Sequence, residues 1–133
     1  MKRYVLDANA LLGYFGNRPG SMRVEHLFRE AANSGQRLLV SVVNWGEVVY
    51  RVWIGQGETR ARQTAIAISK LPIDVSPVLP DDAFDAARLK AIHKLPYADS
   101  FAAALALREH ATLVTSDPDF EKLGKQFPIV WLK

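Results

Sequence analysis

Leu38-Leu39-Val40-Ser41-Val42-Val43 decides the fold class. Three leucines or valines precede Ser41 and two valines follow it, a nearly continuous apolar run of the kind found in a strand covered on both faces. Such strands belong to parallel sheets, whose crossover connections lay helices over both surfaces. The flanking sequence supplies those helices. Upstream, Ser21 can cap a helix in which Val24, Leu27, Phe28 and Ala31 recur at i, i+3, i+4 and i+7, and Gly35 stops it. Downstream, Asn44 opens a helix with Trp45, Val48, Val49, Val52 and Trp53 as one apolar stripe, ended by Gly55 and Gly57.

The same alternation continues outward. Arg3–Leu6 reads as a short strand that Asp7 ends, and Ala8–Phe15 as a short helix closed by Gly16 and the Asn17-Arg18-Pro19-Gly20 turn. Glu58–Lys70 is helical, and Ile73–Val75 is extended after Pro72. Asp81–Lys94 forms a helix with Phe84, Ala87 and Ala91 on one side. A break at Leu95-Pro96 precedes an alanine-rich helix around Asp99–His110. Thr112–Thr115 is a strand, Phe120–Leu123 belongs to a short helix, and Ile129–Leu132 is a final strand. Short strands separated by helices give an α/β domain with a largely parallel sheet and helices on both faces.

The 133 residues fit one domain over 1–133, with 49% apolar and 23% charged residues close to the globular average. The absence of cysteine excludes a disulfide framework, a cysteine-ligated zinc site, an iron–sulfur cluster and a cysteine nucleophile. Met1-Lys2-Arg3 superficially resembles the start of a secretory signal, but Asp7 and Asn9 interrupt the hydrophobic region that should follow. The longest apolar runs fall far short of the roughly 18 residues of a membrane span. A cytoplasmic protein is the expectation.

Acidic residues fall at telling places. Asp7 closes the first strand, Glu47 lies one turn after the second, Asp99 begins the alanine-rich helix and Asp117 follows Thr112–Thr115. In open parallel sheets, ligands bind outside the carboxyl ends of the strands. Taken singly, each acid has an ordinary explanation. Asp7 can cap the helix after it, and Asn44 with Glu47 has capping-box spacing. Asp99 is favourable at a helix N-terminus, and Asp117 before Pro118 is a standard helix start. Capping explains all four together less well. At 100° per residue, Glu47 sits about 160° from the Trp45/Val49/Val52 stripe and shares a face with Arg51 and Ile54.

Converging carboxylates repel, and a bound cation or raised pKa values must offset that. Hard ions such as Mg²⁺ or Mn²⁺ take oxygen ligands of this kind and also bind phosphates. The formal net charge is +3, but with the four acids set aside seventeen bases face ten acids, a formal +7. Arg51, Arg60 and Arg62 lie near Glu47 in sequence, and Lys90, His93 and Lys94 precede Asp99. An acidic centre in a basic surround is what hydrolysis of a nucleic-acid backbone requires. Solvated surface is the ordinary alternative for each basic side chain. His26, His93 and His110 share no helical face, so an imidazole pair for metal-free RNA cleavage is not expected.

With these residues in place, the chain resembles the PIN-domain ribonucleases, in particular the VapC-like toxin of VapBC toxin–antitoxin pairs. The resemblance rests on Tyr4-Val5-Leu6-Asp7-Ala8-Asn9-Ala10-Leu11-Leu12 and on Asn44-Trp45-Gly46-Glu47-Val48. Leu95-Pro96-Tyr97-Ala98-Asp99-Ser100 and Leu113-Val114-Thr115-Ser116-Asp117-Pro118-Asp119-Phe120 complete it, so that it covers nearly the whole chain in order. It implies a three-layer α/β/α sandwich around a mainly parallel sheet of four to five strands. It also implies a Mg²⁺- or Mn²⁺-dependent endoribonuclease in which Asp7, Glu47, Asp99 and Asp117 match the family's catalytic and metal-binding acids. Asn9 and Thr115 or Ser116 match supporting polar positions, Asp119 assists, and Arg51 and Lys94 are candidates to hold RNA. The family implies a homodimer held inactive by a small antitoxin along the cleft, with the helices Asn44–Gly55 and Glu58–Lys70 in contact with it. An exposed apolar patch around Tyr50 and Ile54 would favour that partner.

Three rivals stand beside this reading. A haloacid-dehalogenase-like phosphatase needs a second Asp where this chain has Asn9. A ribosomal-RNA processing PIN nuclease would use the same acids, but usually with an appended zinc or RNA-binding module. A non-catalytic RNA- or protein-binding module on the same scaffold would not need the acids intact.

Overall fold

The computed structural model describes residues 2–133. In chain order the elements are β1 (Tyr4–Leu6), α1 (Ala8–Phe15), α2 (Ser21–Ser34), β2 (Leu38–Ser41), α3 (Val42–Gln56), α4 (Glu58–Ser69) and β3 (Ile73–Ser76). They continue with α5 (Pro80–His93), α6 (Tyr97–Arg108), β4 (Thr112–Thr115), a 3₁₀ turn over Pro118–Leu123, and β5 (Ile129–Trp131). All five strands pair in parallel, in the order β3-β2-β1-β4-β5.

Alternation along the strands builds two cores. Leu6, Val40 and Val114 face α1 to α4, where they meet Leu11, Val24, Phe28, Val48 and Ile68. Val5, Leu39 and Leu113 face the other way, against Ala86, Leu89, Leu95 and the run Phe101–Ala106. The result is an α/β/α sandwich, as expected. Alanines at 102, 103 and 106 are buried and let α6 lie close over β1, β2 and β4. The chain steps outward from β1 through β2 to β3, then crosses to β4 and β5. The order therefore reverses between β1 and β4, the kind of switch point where a crevice opens above an α/β sheet.

Several boundaries differ from the sequence reading. The apolar run 38–43 is a strand only to Ser41, because the Ser41 hydroxyl accepts from Val43 N at 3.3 Å and starts α3 there. Asn44 consequently lies inside the first turn, so the Asn44/Glu47 capping box does not form. The buried stripe of α3 is Asn44, Val48 and Val52, with Trp45 partly buried and Trp53 exposed. Helix α2 is preceded by Gly20 at φ +92°, not capped by the Ser21 side chain. In α5 the core face is Ala86 and Leu89; Phe84 is 66% exposed, with the Arg88 guanidinium 5.3 Å from its ring centroid. Phe101 and Phe120 are core residues. Among the described residues, no helix is long and apolar enough to cross a membrane.

Candidate metal centre

Asp7 leaves β1 at the switch point, 2% exposed. One carboxylate oxygen accepts from Ala10 N at 2.8 Å and caps α1; the other accepts the hydroxyl hydrogen of Thr115 from β4. Asp7 is therefore a helix cap that also faces β4. The Thr115 oxygen in turn accepts from Asp117 N at 2.9 Å, and Asp117 Oδ1 accepts from Asp119 N at 2.9 Å. One buried hydroxyl thus fixes two acids. Its neighbour Ser116 is exposed, which decides the alternative left open between the two hydroxyls in favour of Thr115 as the inward one.

Asp99 enters from the first turn of α6, and Asp99, Asp117 and Asp119 bring carboxylate oxygens within 4.8 Å of one another. Glu47 approaches from α3. Its Oε2 lies 3.8 Å from Arg51 Nη1, while its Oε1 is buried with no hydrogen-bond partner. Asp99 Oδ2 is buried without a partner as well.

The electrostatics express this crowding. Burial pushes the Asp7 carboxyl up to about 7 against the pull of its Thr115 and Ala10 donors, with the charges of Asp117 and Glu47 adding to the rise. Asp99 is also pushed up to about 7, by burial first and then by the negative charge of Asp117, Asp7 and Glu47. The four acids that the sequence scatters over more than a hundred residues feel one another's charge.

The donor set is all carboxylate oxygen, and two of its oxygens are buried acceptors without donors. This chemistry fits a hard divalent cation such as Mg²⁺ or Mn²⁺, and it fits neither a soft metal nor an organic cofactor. The tightest triad includes Asp119 in place of Asp7 and Glu47, so the turn after β4 supplies two of its three acids.

The remaining candidates lie around the rim. Asn9 is half-buried in the first turn of α1, and Arg51 is exposed beside Glu47. Lys94 is exposed at the end of α5, with φ +61°. Two residues escape sequence reasoning. Lys122 places its amine 3.6 Å from the Asp119 carboxylate and donates to the Lys94 carbonyl at 3.3 Å. Asn44, read above as a cap, is buried and donates to the Ala98 carbonyl at 3.0 Å. The i, i+3 spacing of Asp119 and Lys122 was the one available signal for the first; nothing local signals the second.

Residues 4–126 match the PIN domain family. The chain belongs to that family. Solved PIN-like structures share the fold at low sequence identity. VapBC2 from Rickettsia felis, bound to a DNA fragment from its promoter, matches with TM-score 0.77 and 16% identity over 98% of each chain. A toxin–antitoxin complex from Klebsiella pneumoniae matches with TM-score 0.64 and 22% identity, over 96% of this chain and 95% of that one. VapC20 from Mycobacterium tuberculosis, a sarcin-ricin loop cleaving toxin, gives TM-score 0.66 and 17% identity over 91% of this chain and 95% of its own. No curated protein matches in sequence.

Proposed function

We propose that this PIN domain is a Mg²⁺- or Mn²⁺-dependent endoribonuclease and the toxin of a type II toxin–antitoxin pair, acting in the cytoplasm. The observation that carries the proposal is the meeting of Asp7, Glu47, Asp99 and Asp117 at the switch point, with the carboxyls of Asp7 and Asp99 pushed up to about 7. A protein gains nothing in stability from burying acids at such a cost, whereas a site for divalent cations does require them. Asp99, Asp117 and Asp119 would hold the ion with Asp7 behind them, and Glu47 would contribute to a second ion site or orient the attacking water.

A bound divalent ion supplies acidity to that water and neutralises charge on the phosphate oxygens. The residues do the rest. Thr115 and Ala10 N hold Asp7 in one orientation, so that its charge is fixed before substrate arrives. Glu47 Oε1, free of any donor, is the group open to take the water's proton. In-line attack breaks the bond between phosphorus and the 3′ oxygen, leaving a 5′-phosphate and a 3′-hydroxyl. Arg51, 3.8 Å from Glu47, and Lys94 at the end of α5 would draw the RNA backbone in.

The partner side of the reading rests on α3 and α4. Tyr50, Trp53 and Ile54 are exposed at i, i+3 and i+4, the apolar patch that favours a protein partner. Beside α3 runs a groove of about 340 Å³ floored by Leu12, Phe15 and Val52, with Arg18 and Arg60 at its edges. A small antitoxin would lie there, on a homodimeric toxin. The VapBC and toxin–antitoxin complexes that share the fold support an antitoxin as the partner.

The test is cleavage of a mixed RNA pool by the purified protein with Mn²⁺ or Mg²⁺, with chelator, and with Asp99→Asn folded by circular dichroism. Metal-dependent cuts lost in the variant are expected. Absence of cutting together with absence of Mn²⁺ binding by calorimetry would overturn the metal centre and leave the acids as caps.

A further inference from the structure

Trp131 ends β5 and pairs in register with Thr115, whose hydroxyl holds Asp7. Its side chain is 37% exposed on an edge strand of only three residues. Packing explains the buried part of the indole and leaves the outer face unaccounted for. The ring borders two surface depressions. One, of about 420 Å³, is lined by Ser116, Pro118 and Lys133 as well as Trp131. The other, of about 550 Å³, includes Lys125 and Phe127. Ser116 and Pro118 are the chain neighbours of Asp117, so the first depression reaches the turn that carries that acid.

We propose that Trp131 is the platform on which an unpaired base of the RNA stacks, next to the turn that carries Asp117. This inference rests on the ribonuclease reading and adds a positioning residue to it. Every base presents a π-face, and single-stranded nucleic acids are held by aromatic stacking combined with cationic groups along the backbone. Both parts are present here. Each depression pairs the indole with one lysine, Lys133 in the first and Lys125 in the second. Glu121 also borders both, so a neutral base rather than a phosphate is what fits against Trp131. A base held there fixes the strand's register, because Thr115 links the strand carrying Trp131 to the acids.

The experiment uses full-length Asp99→Asn protein, which should not cut, and a fluorescein-labelled unstructured (ACU)₄ oligoribonucleotide read by anisotropy. Trp131→Ala should weaken binding roughly tenfold, the usual loss for one stacked base, while Trp131→Phe should retain most of it. Titration of the oligonucleotide should quench tryptophan fluorescence, and that quench should disappear in Trp131→Phe. Thermal melts separate loss of stacking from loss of fold. If Trp131→Ala does not fold, the quench comparison decides. Unchanged affinity in a folded Trp131→Ala, or a quench that survives in Trp131→Phe, overturns the platform. Metal-dependent RNA cleavage by the wild-type protein in either case leaves the ribonuclease reading standing, whereas no binding and no cleavage overturns both.

Discussion

The Asn44 amide donates to the Ala98 carbonyl at 3.0 Å and ties α3 to the start of α6. Glu47 lies three residues after one partner and Asp99 one residue after the other. One part-buried hydrogen bond therefore links the segments that deliver acids from opposite layers of the sandwich. Asn44→Ala should lower the unfolding free energy by about 0.5–1.5 kcal/mol, read by urea denaturation, since the hydrogen bond between the two helices is lost. Mn²⁺ affinity should fall with it. Asn44→Asp should be worse than Asn44→Ala, because it adds a negative charge beside Glu47.

The pH dependence of the metal-free protein follows from the raised carboxyls. Asp7 and Asp99 each stand near 7 in the folded chain against an ordinary 3.8. Between those values the folded state binds more protons than the unfolded one, so stability falls as pH rises and the loss is complete above about 7. Thermal melts in chelator should show the midpoint dropping from pH 5 to pH 8. The slope approaches roughly 1.4 kcal/mol per pH unit for one fully buried group. Asp7→Asn should flatten it, and a slope unchanged by that substitution would count against the burial of its charge.

Added Mn²⁺ should reverse this loss. An ion that binds only the folded chain stabilises it by about 2.7 kcal/mol at a hundred times its dissociation constant. Its effect should be largest above pH 7, where the acids are charged. Differential scanning calorimetry of wild type and Asp99→Asn, each with Mn²⁺ and with Ca²⁺-free chelator, should show a rise of several degrees in wild type alone.

Thr115→Val should unsettle two acids at once, since its hydroxyl donates to Asp7 and accepts from Asp117 N. The Asp7 carboxyl then loses a donor that holds its pKa down. Cleavage should fall by one to two orders of magnitude and its pH profile should move to higher pH. Thr115→Ser should restore both, while Ser116→Ala should change neither.

The sequence carries the layers because they rest on local periodicity. Alternating residues such as Val5 and Leu6, or Leu113 and Val114, divide cleanly between the two cores. It also carries Asp7, Glu47, Asp99 and Asp117, whose positions after strands or at a helix start are visible in one dimension. What it hides is decided by contacts across the chain. Asn44 reads as a helix cap because capping is a local motif, and its partner Ala98 stands 54 residues away. The choice between Thr115 and Ser116 needs the phase of β4 relative to β1. Phe84 reads as core on α5 because periodicity finds a helix without saying which of its faces meets the sheet.

The alanine-lined seat of α6 limits how this chain can change. Ala102 and Ala103 are wholly buried between the helix and the strands that end at the acids. A larger side chain at either position would lift the helix, and Asp99 would travel with it. In the opposite core, residues remote from α3, such as Val24 and Leu27 of α2, can exchange one aliphatic for another without moving Asp99. Variants that survive should therefore accumulate on that side, and substitutions in α6 should extinguish the chemistry while the protein still folds.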